Sequence, residues 1–243
     1  MLVQQKYDRG DEQMTLEIGK RMKEYYEDRQ QSSLMRRVPV ILRLDGKAFH
    51  TLTSGLPTFS PDVRLSMLES CNELLEGIQG ARIAYTQSDE ISILLVDYDK
   101  LESGAWFDYN TQKIVSISAS ICSVAFSLSY GKSAYFDSRA FNVPTYDVVN
   151  YFIWRQLDCI RNSVQSYARD YFSHKDLNGK SVVDVTNMLT GIEKPLSNLD
   201  VIWRNGTIVT KSDGCWTASA APKFIDNKSL IGDLIIPRGE KDE

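Results

Sequence analysis

The run VILRLDGKAFH, Val40 to His50, begins as an apolar strand and ends on a carboxylate, a bare backbone and an ammonium: Asp45, Gly46 and Lys47. Further along, Gln87-Ser88-Asp89-Glu90 sets two more carboxylates in a polar knot between strand-like runs. Taken singly, Asp-Gly is an ordinary turn pair and Asp89-Glu90 an ordinary exposed hairpin tip. Brought to one sheet edge, Asp45 and Asp89 would form a site for divalent cations. Nucleotidyl transfer uses two such cations about 3.5–4 Å apart, one activating the attacking hydroxyl and one holding the triphosphate. Gly46 would let its carbonyl approach a cation closely. The backbone N–H groups of Lys47, Ala48, Phe49 and His50 would cradle phosphate oxygens, and the Lys47 ammonium would add a point charge. In a regular hairpin Glu90 points to the opposite face from Asp89, so it reads equally as a ligand or as a supporting group.

Composition sets bounds on this chemistry. With 243 residues, 42% hydrophobic and 25% charged, the chain has ordinary globular values and can bury a sizeable core. The N-terminal stretch MLVQQKYDRGDEQ has no apolar segment of a secretory signal, and no apolar run reads as long enough to span a bilayer. The four cysteines, Cys71, Cys122, Cys159 and Cys215, lie far apart with no C-x-x-C pair, which suits reduced thiols in the cytoplasm. Only two histidines, His50 and His174, are available, so any metal is expected to be a hard cation on oxygen ligands. A net charge of −4 argues against nonspecific coating of nucleic acid but leaves room for a local basic groove.

The elements that would position these residues can be read in order. MTLEIGKRMKEYYEDR places Leu16, Ile18, Met22 and Tyr25 or Tyr26 near one helical face. A first strand follows over roughly Val38 to Leu44. FSPDVRLSMLESCNELLEGIQG predicts a helix capped by Ser60, entered through Pro61 and closed at Gly80, with the stripe Val63, Met67, Cys71, Leu74 or Leu75, and Ile78. Two strands flank the Gln87–Glu90 knot. KIVSISASICSVAFSLSYG mixes strand alternation with helical spacing, and its length decides for a helix. SAYFDSRAFNVP reads as one more strand. The order strand, helix, strand, strand, helix, strand is the ferredoxin-like α+β unit, βαββαβ, with helices on one face and the first and third strands central. A mainly helical region follows, with a long helix over TYDVVNYFIWRQLDCIRNSVQSYARDYF, a shorter one near SVVDVTNML, and a final hairpin turning at Asn205-Gly206. The predicted division is 1–145 for the N-terminal helix and catalytic unit, and 146–243 for a helical region packed on it, with a frayed tail at PRGEKDE.

RLDGKAFH (Arg43 to His50) together with AYTQSDEISILL (Ala84 to Leu95) resembles the tRNA(His) guanylyltransferase family and its relatives, the 3′–5′ polymerases. LEIGKRMKEYYE, GLPTFSPDVRLSML, WRQLDCIRN and WRNGT are similar to further family segments in the same order. The resemblance implies a polymerase-like palm with two Mg2+ ions held by Asp45, the Gly46 carbonyl and Asp89. It implies a triphosphate along Asp45 to His50 and at Ser88 and Asp89, with Lys113 matching a phosphate-contacting lysine. It implies ATP and GTP as substrates, tRNA as partner, a homotetramer, and no membrane association. The family's His-Ile-Asn run is here Ile160-Arg161-Asn162, which points towards relatives that repair truncated tRNA 5′ ends on a template. A family lysine ahead of the first palm helix is replaced by Pro57 or Phe59, and an arginine before Lys113 by Asn110.

Arg155, Arg161, Asn162, Arg169 and Lys175 lie on or beside the long helix, either as a solvated face or as a groove for tRNA. Trp154 reads as core rather than as a stacking platform. The alternatives carried forward are a dedicated enzyme that adds guanylate to tRNA(His), a palm-type nucleotide cyclase, and a non-catalytic RNA-binding relative. Gln87-Ser88 in place of Gly-Gly disfavours the cyclase, and retention of both Asp45 and Asp89 disfavours the non-catalytic relative.

Overall fold

The computed structural model describes residues 9–237. In chain order these form α1 (Arg9–Met22), β1 (Val40–Gly46), α2 (Phe49–Leu52), α3 (Pro61–Gly77), β2 (Ala81–Gln87), β3 (Glu90–Leu95), α4 (Thr111–Tyr130), β4 (Phe136–Asn142) and α5 (Thr145–Arg169). There follow α6 (His174–Leu177), α7 (Val182–Gly191), α8 (Val201–Asn205), β5 (Thr207–Ser212), β6 (Cys215–Ala220) and α9 (Ser229–Gly232). The stretch before Arg9 and the tail after Pro237 lie outside the described residues.

The strands form one antiparallel sheet in the order β4-β1-β3-β2-β5-β6. Its first four strands, with α3 and α4, are the expected palm. Alternation sorts the side chains: Leu42, Leu44, Ile91 and Ile93 pack with Met67 and Cys71 of α3 and with Ile114 and Phe126 of α4. The other face is covered by the helical region expected to pack on this unit. Ile41, Ile83, Tyr85 and Leu94 pack against Val148, Phe152 and Cys159 of α5, whose apolar stripe follows helical spacing. Burial on both faces explains the near-continuous apolar runs VILRL and ISILLV, each broken by one polar residue, Arg43 or Ser92.

Local signals explain the helix ends. Ser60 caps α3, accepting from the Val63 N–H at 3.5 Å, with Pro61 in the first turn. Gly80 does not close that helix, which ends at Gly77. Its left-handed backbone (φ +84°) instead sits in the turn before β2, where a Cβ would come within 2.6 Å of the Val96 carbonyl. Asn110 caps α4 and Gly131, at φ +78°, ends it. Contrary to the sequence expectation, α4 is long and apolar enough to cross a membrane by length and composition. Here it is a palm helix with Ile114, Ser118, Cys122 and Phe126 buried.

The C-terminal hairpin does not turn at Asn205-Gly206. Asn205 ends α8, and Gly206 (φ +82°) feeds β5, passing so close to Tyr85 that a Cβ would come within 2.6 Å of its ring. The turn is Asp213-Gly214, with both residues at positive φ, the backbone that a two-residue hairpin loop prefers. β5 pairs with β2, so this hairpin extends the palm sheet. On α1 and the irregular turns after it, Leu16, Ile18, Met22, Tyr25 and Tyr26 are all exposed.

Candidate active site

The end of β1 carries Asp45 into register with Glu90 on β3 and with Asp137 on β4. Directly opposed residues share a face, so three carboxylates lie in a row across three strands. Alternation puts them on the face that α5 covers, and guanidinium groups meet each one. Arg43 lies 3.7 Å from Asp45 and 3.8 Å from Glu90, and Arg139 lies 3.3 Å from Asp137. Arg155 of α5 holds Glu90 through two hydrogen bonds of 2.7 and 2.6 Å. Both partners are buried, at about 8% and 9% side-chain exposure. Burial alone would lower the Arg155 pKa, but the hydrogen bonds to Glu90 and the charges of Glu90 and Asp158 hold it above its ordinary value.

Asp89 is placed differently. It shares a two-residue turn with Ser88, which adopts a left-handed backbone at φ +49°. Its carbonyl accepts the Gly46 N–H at 3.0 Å. A Cβ on Gly46 would lie 2.9 Å from the Asp89 Cβ and 2.3 Å from the Phe49 ring, so only a bare backbone fits between them. Asp89 has no ion-pair partner among the described residues. Burial pushes its carboxyl above the usual range, and the charges of Asp45 and Glu90 add to this, while hydrogen bonds from Ser88 and its own backbone amide pull the other way. A desolvated carboxylate beside a second one, with a glycine backbone against it, is a donor set that suits Mg2+. No group of three or more His, Cys, Asp or Glu side chains among the described residues could hold a metal. An ion would therefore draw further ligands from a backbone carbonyl and from substrate phosphates, as Mg2+ commonly does.

The phosphate cradle is narrower than expected. The Lys47 N–H donates to the Tyr135 carbonyl at 2.8 Å. Ala48 turns left-handed (φ +56°) into α2, leaving the N–H groups of Ala48, Phe49 and His50 without an acceptor among the described residues. The Phe49 ring is core, stacked edge-on against Phe126 and Phe136. Lys113 is not brought to the site. It is exposed in the first turn of α4, whose other end leads into Phe136, the residue opposite Gly46. A twenty-residue helix spans about 30 Å, so within one chain Lys113 sits at the far end of the sheet.

The family profile described as tRNAHis guanylyltransferase (Thg1) matches residues 19–147, which include the whole palm. A bacterial tRNA(His) guanylyltransferase (Thg1)-like protein in complex with ATP superposes with a TM-score of 0.85 at 36% identity, over 91% of this chain and 100% of that one. The GTP complex of a bacterial protein of the same description gives 0.78 at 34%, over 90% and 99%. The tRNA(His) guanylyltransferase of Saccharomyces cerevisiae shares the fold, with a TM-score of 0.69 at 16% identity over 85% and 98%. The chain belongs to the tRNA(His) guanylyltransferase family. It is accordingly a nucleotidyltransferase.

In this guanylyltransferase-family chain, a cavity of about 910 Å3 opens at the carboxylate row. It runs from Asp45 and Asp89 past Arg64 to Trp154, Asn162 and Arg169. A cleft of about 390 Å3 continues from Asn162 and Arg169 to Arg161 and Lys180. Of the five residues read as a possible tRNA groove, Arg161, Asn162 and Arg169 line these spaces as accessible groups, and Lys175 lines neither. Arg155 borders the larger space too, but it is buried and its guanidinium is taken up by Glu90 and Asp158. Trp154, expected in the core, is 53% exposed. Three groups were missed. Arg64 donates to Thr207 Oγ1 at 3.3 Å and keeps a buried Nε with no hydrogen-bond partner. Arg43 and Asp137 flank Asp45, and strand alternation in VILRLDG and FDSRAFN would have found both.

Two outcomes follow for this family member. A raised Asp89 pKa means that the folded state carries a penalty at neutral pH, relieved as pH falls through the folded value. Asp89→Asn should therefore raise the thermal midpoint in metal-free buffer at pH 7, with a gain that shrinks on acidification. Added Mg2+ should raise the wild-type midpoint but not that of the variant. Arg155→Leu should cost about 3–5 kcal/mol in urea unfolding by stranding Glu90, and adding Glu90→Met should recover most of it.

Proposed function

We propose that this chain is a Mg2+-dependent 3′–5′ nucleotidyltransferase that rebuilds truncated tRNA 5′ ends on a template, with ATP and GTP as substrates. The observation that carries the reading is the course of α5. Its Arg155 anchors the carboxylate row, and of Ile160-Arg161-Asn162, which replace the family's histidine run, Arg161 and Asn162 line the cavity and cleft while Ile160 packs on the core. The higher identity to bacterial relatives than to the yeast enzyme supports the same reading.

Asp45, Asp89 and the Gly46 carbonyl would hold Mg2+, which when bound supplies positive charge to a triphosphate. The free amides of Ala48, Phe49 and His50 meet phosphate oxygens, and the Arg64 guanidinium faces the same space. Glu90 serves by fixing Arg155 rather than as a ligand. The basic cleft along Arg161, Arg169 and Lys180 tracks the RNA backbone. With labelled triphosphates and Mg2+, 5′-truncated tRNA should be extended by nucleotides complementary to its template, and both Asp45→Ala and Asp89→Ala should abolish this. Efficient guanylate addition to full-length tRNA(His), with poor repair of truncated ends, would overturn the repair assignment.

The working form is proposed to be a homotetramer in the cytoplasm. Exposed Leu16, Ile18 and Met22 of α1 and Ile117, Val124 and Leu128 of α4 leave apolar surface that a second copy would cover. Light scattering after size-exclusion should give about four chains per particle, and Leu16→Glu with Leu128→Glu should shift it to smaller species.

A further inference from the structure

One side chain in the cavity is used by none of the chemistry above. Trp154 lies on α5 one residue before Arg155 and so points about a quarter-turn away from the buried stripe. It is 53% exposed and lines the same cavity as Asp45, Asp89 and Ser88. Its ring is held from behind. The Arg155 guanidinium lies 4.5 Å from the indole centroid, and Tyr151 packs edge-on at 5.9 Å. Arg155 is itself locked by Glu90 and Asp158. The indole therefore stands rigid, with one side backed by a fixed cation and the rest open to the cavity.

We propose that Trp154 is a stacking platform for a nucleobase at the active site, an assignment that rests on the nucleotidyltransferase reading of the cavity. A flat π surface that has already lost its rotamer freedom stacks a base at little entropic cost. Trp203 lines the cavity too, but its ring is packed on Phe59 and against the cluster between α5 and α7. The base can come from the bound triphosphate or from the 5′ end of the RNA.

The test uses the full chain and two pairs of probes. ATP is compared with inorganic tripolyphosphate, and 5′-truncated tRNA with the same RNA bearing an abasic 5′ nucleotide. The expected result is indole quenching by the base-bearing member of at least one pair and not by its base-free counterpart, lost in Trp154→Phe. Quenching in the first pair assigns the base to the triphosphate, and in the second to the RNA end. Trp154→Ala should raise KM for that substrate about 5- to 150-fold with kcat little changed, and Trp154→Tyr should restore most of it. Equal quenching by base-free probes, or an unchanged KM in Trp154→Ala, would overturn the assignment while leaving the enzyme reading intact. A Trp154→Ala variant that changes only the assembly state would also overturn it. A wild-type chain that binds neither ATP nor RNA would defeat the functional reading itself, and this inference with it.

Discussion

Glu90 is a buried carboxylate directly opposite another carboxylate, and the arrangement around the site depends on neutralising it. Desolvating such a group costs several kcal/mol unless an opposite charge with matched geometry replaces the water. Arg155 supplies that charge through a fork that satisfies both oxygens. The requirement docks α5 against the sheet at one rotation and one height. The neighbouring residue then extends the lock: Gln156 donates to the Asn205 and Pro222 carbonyls and accepts the Phe224 N–H at 2.7 Å. Gln87 closes the loop by donating to the Arg155 carbonyl at 3.2 Å. The run Trp154-Arg155-Gln156 thus presents an aromatic to the cavity, a cation to the sheet and an amide to the C-terminal segment.

Once α5 has neutralised Glu90, the shortage of positive charge falls on Asp45 and Asp89. Asp45 has only a distant guanidinium at 3.7 Å, and Asp89 has none among the described residues. The turn that carries Asp89 keeps a non-glycine residue left-handed, a conformation that costs energy and marks a constrained site. The bare backbone of Gly46 removes the last obstacle to close approach. The proposed divalent cation would relieve repulsion that the fold has built in, so stability and the proposed chemistry would be opposed at this spot.

Much of this was legible in the residues. The palm order followed from periodicity, the start of α3 from Ser60-Pro61, α4 from the length of its run, and the two aspartates from their place at strand ends. What was not legible depended on partners distant in sequence. Nothing near Glu90 announces that its counter-ion is Arg155 on another element. Asn205-Gly206 and Asp213-Gly214 carry the same turn signal, and only the strand pairing chooses between them. Lys113 was assigned by motif position, and the direction of α4 relative to β4 removes it from the site. Trp154 was within reach of the sequence: the stripe Val148, Phe152, Arg155 and Cys159 already leaves position 154 off the buried face.

An acidic chain proposed to act on tRNA must also leave some of its cations free. Asp158 accepts from Arg155 at 3.0 Å and also binds Arg161, with Asn162 donating to it at 3.3 Å. One carboxylate therefore ties the carboxylate row to the entrance of the basic cleft. It also neutralises much of Arg161, so a phosphate there must compete with Asp158 for the same guanidinium. Arg169 and Lys180 have no ion pair among the described residues and line the same cleft. On the proposed RNA path the cations free to meet phosphates are therefore Arg169, which lines both the active-site cavity and the cleft, and Lys180 of the cleft. Two free cations with a third in competition with Asp158 would hold a phosphate chain while leaving one contact easily exchanged, which would suit a strand that shifts as its 5′ end is extended.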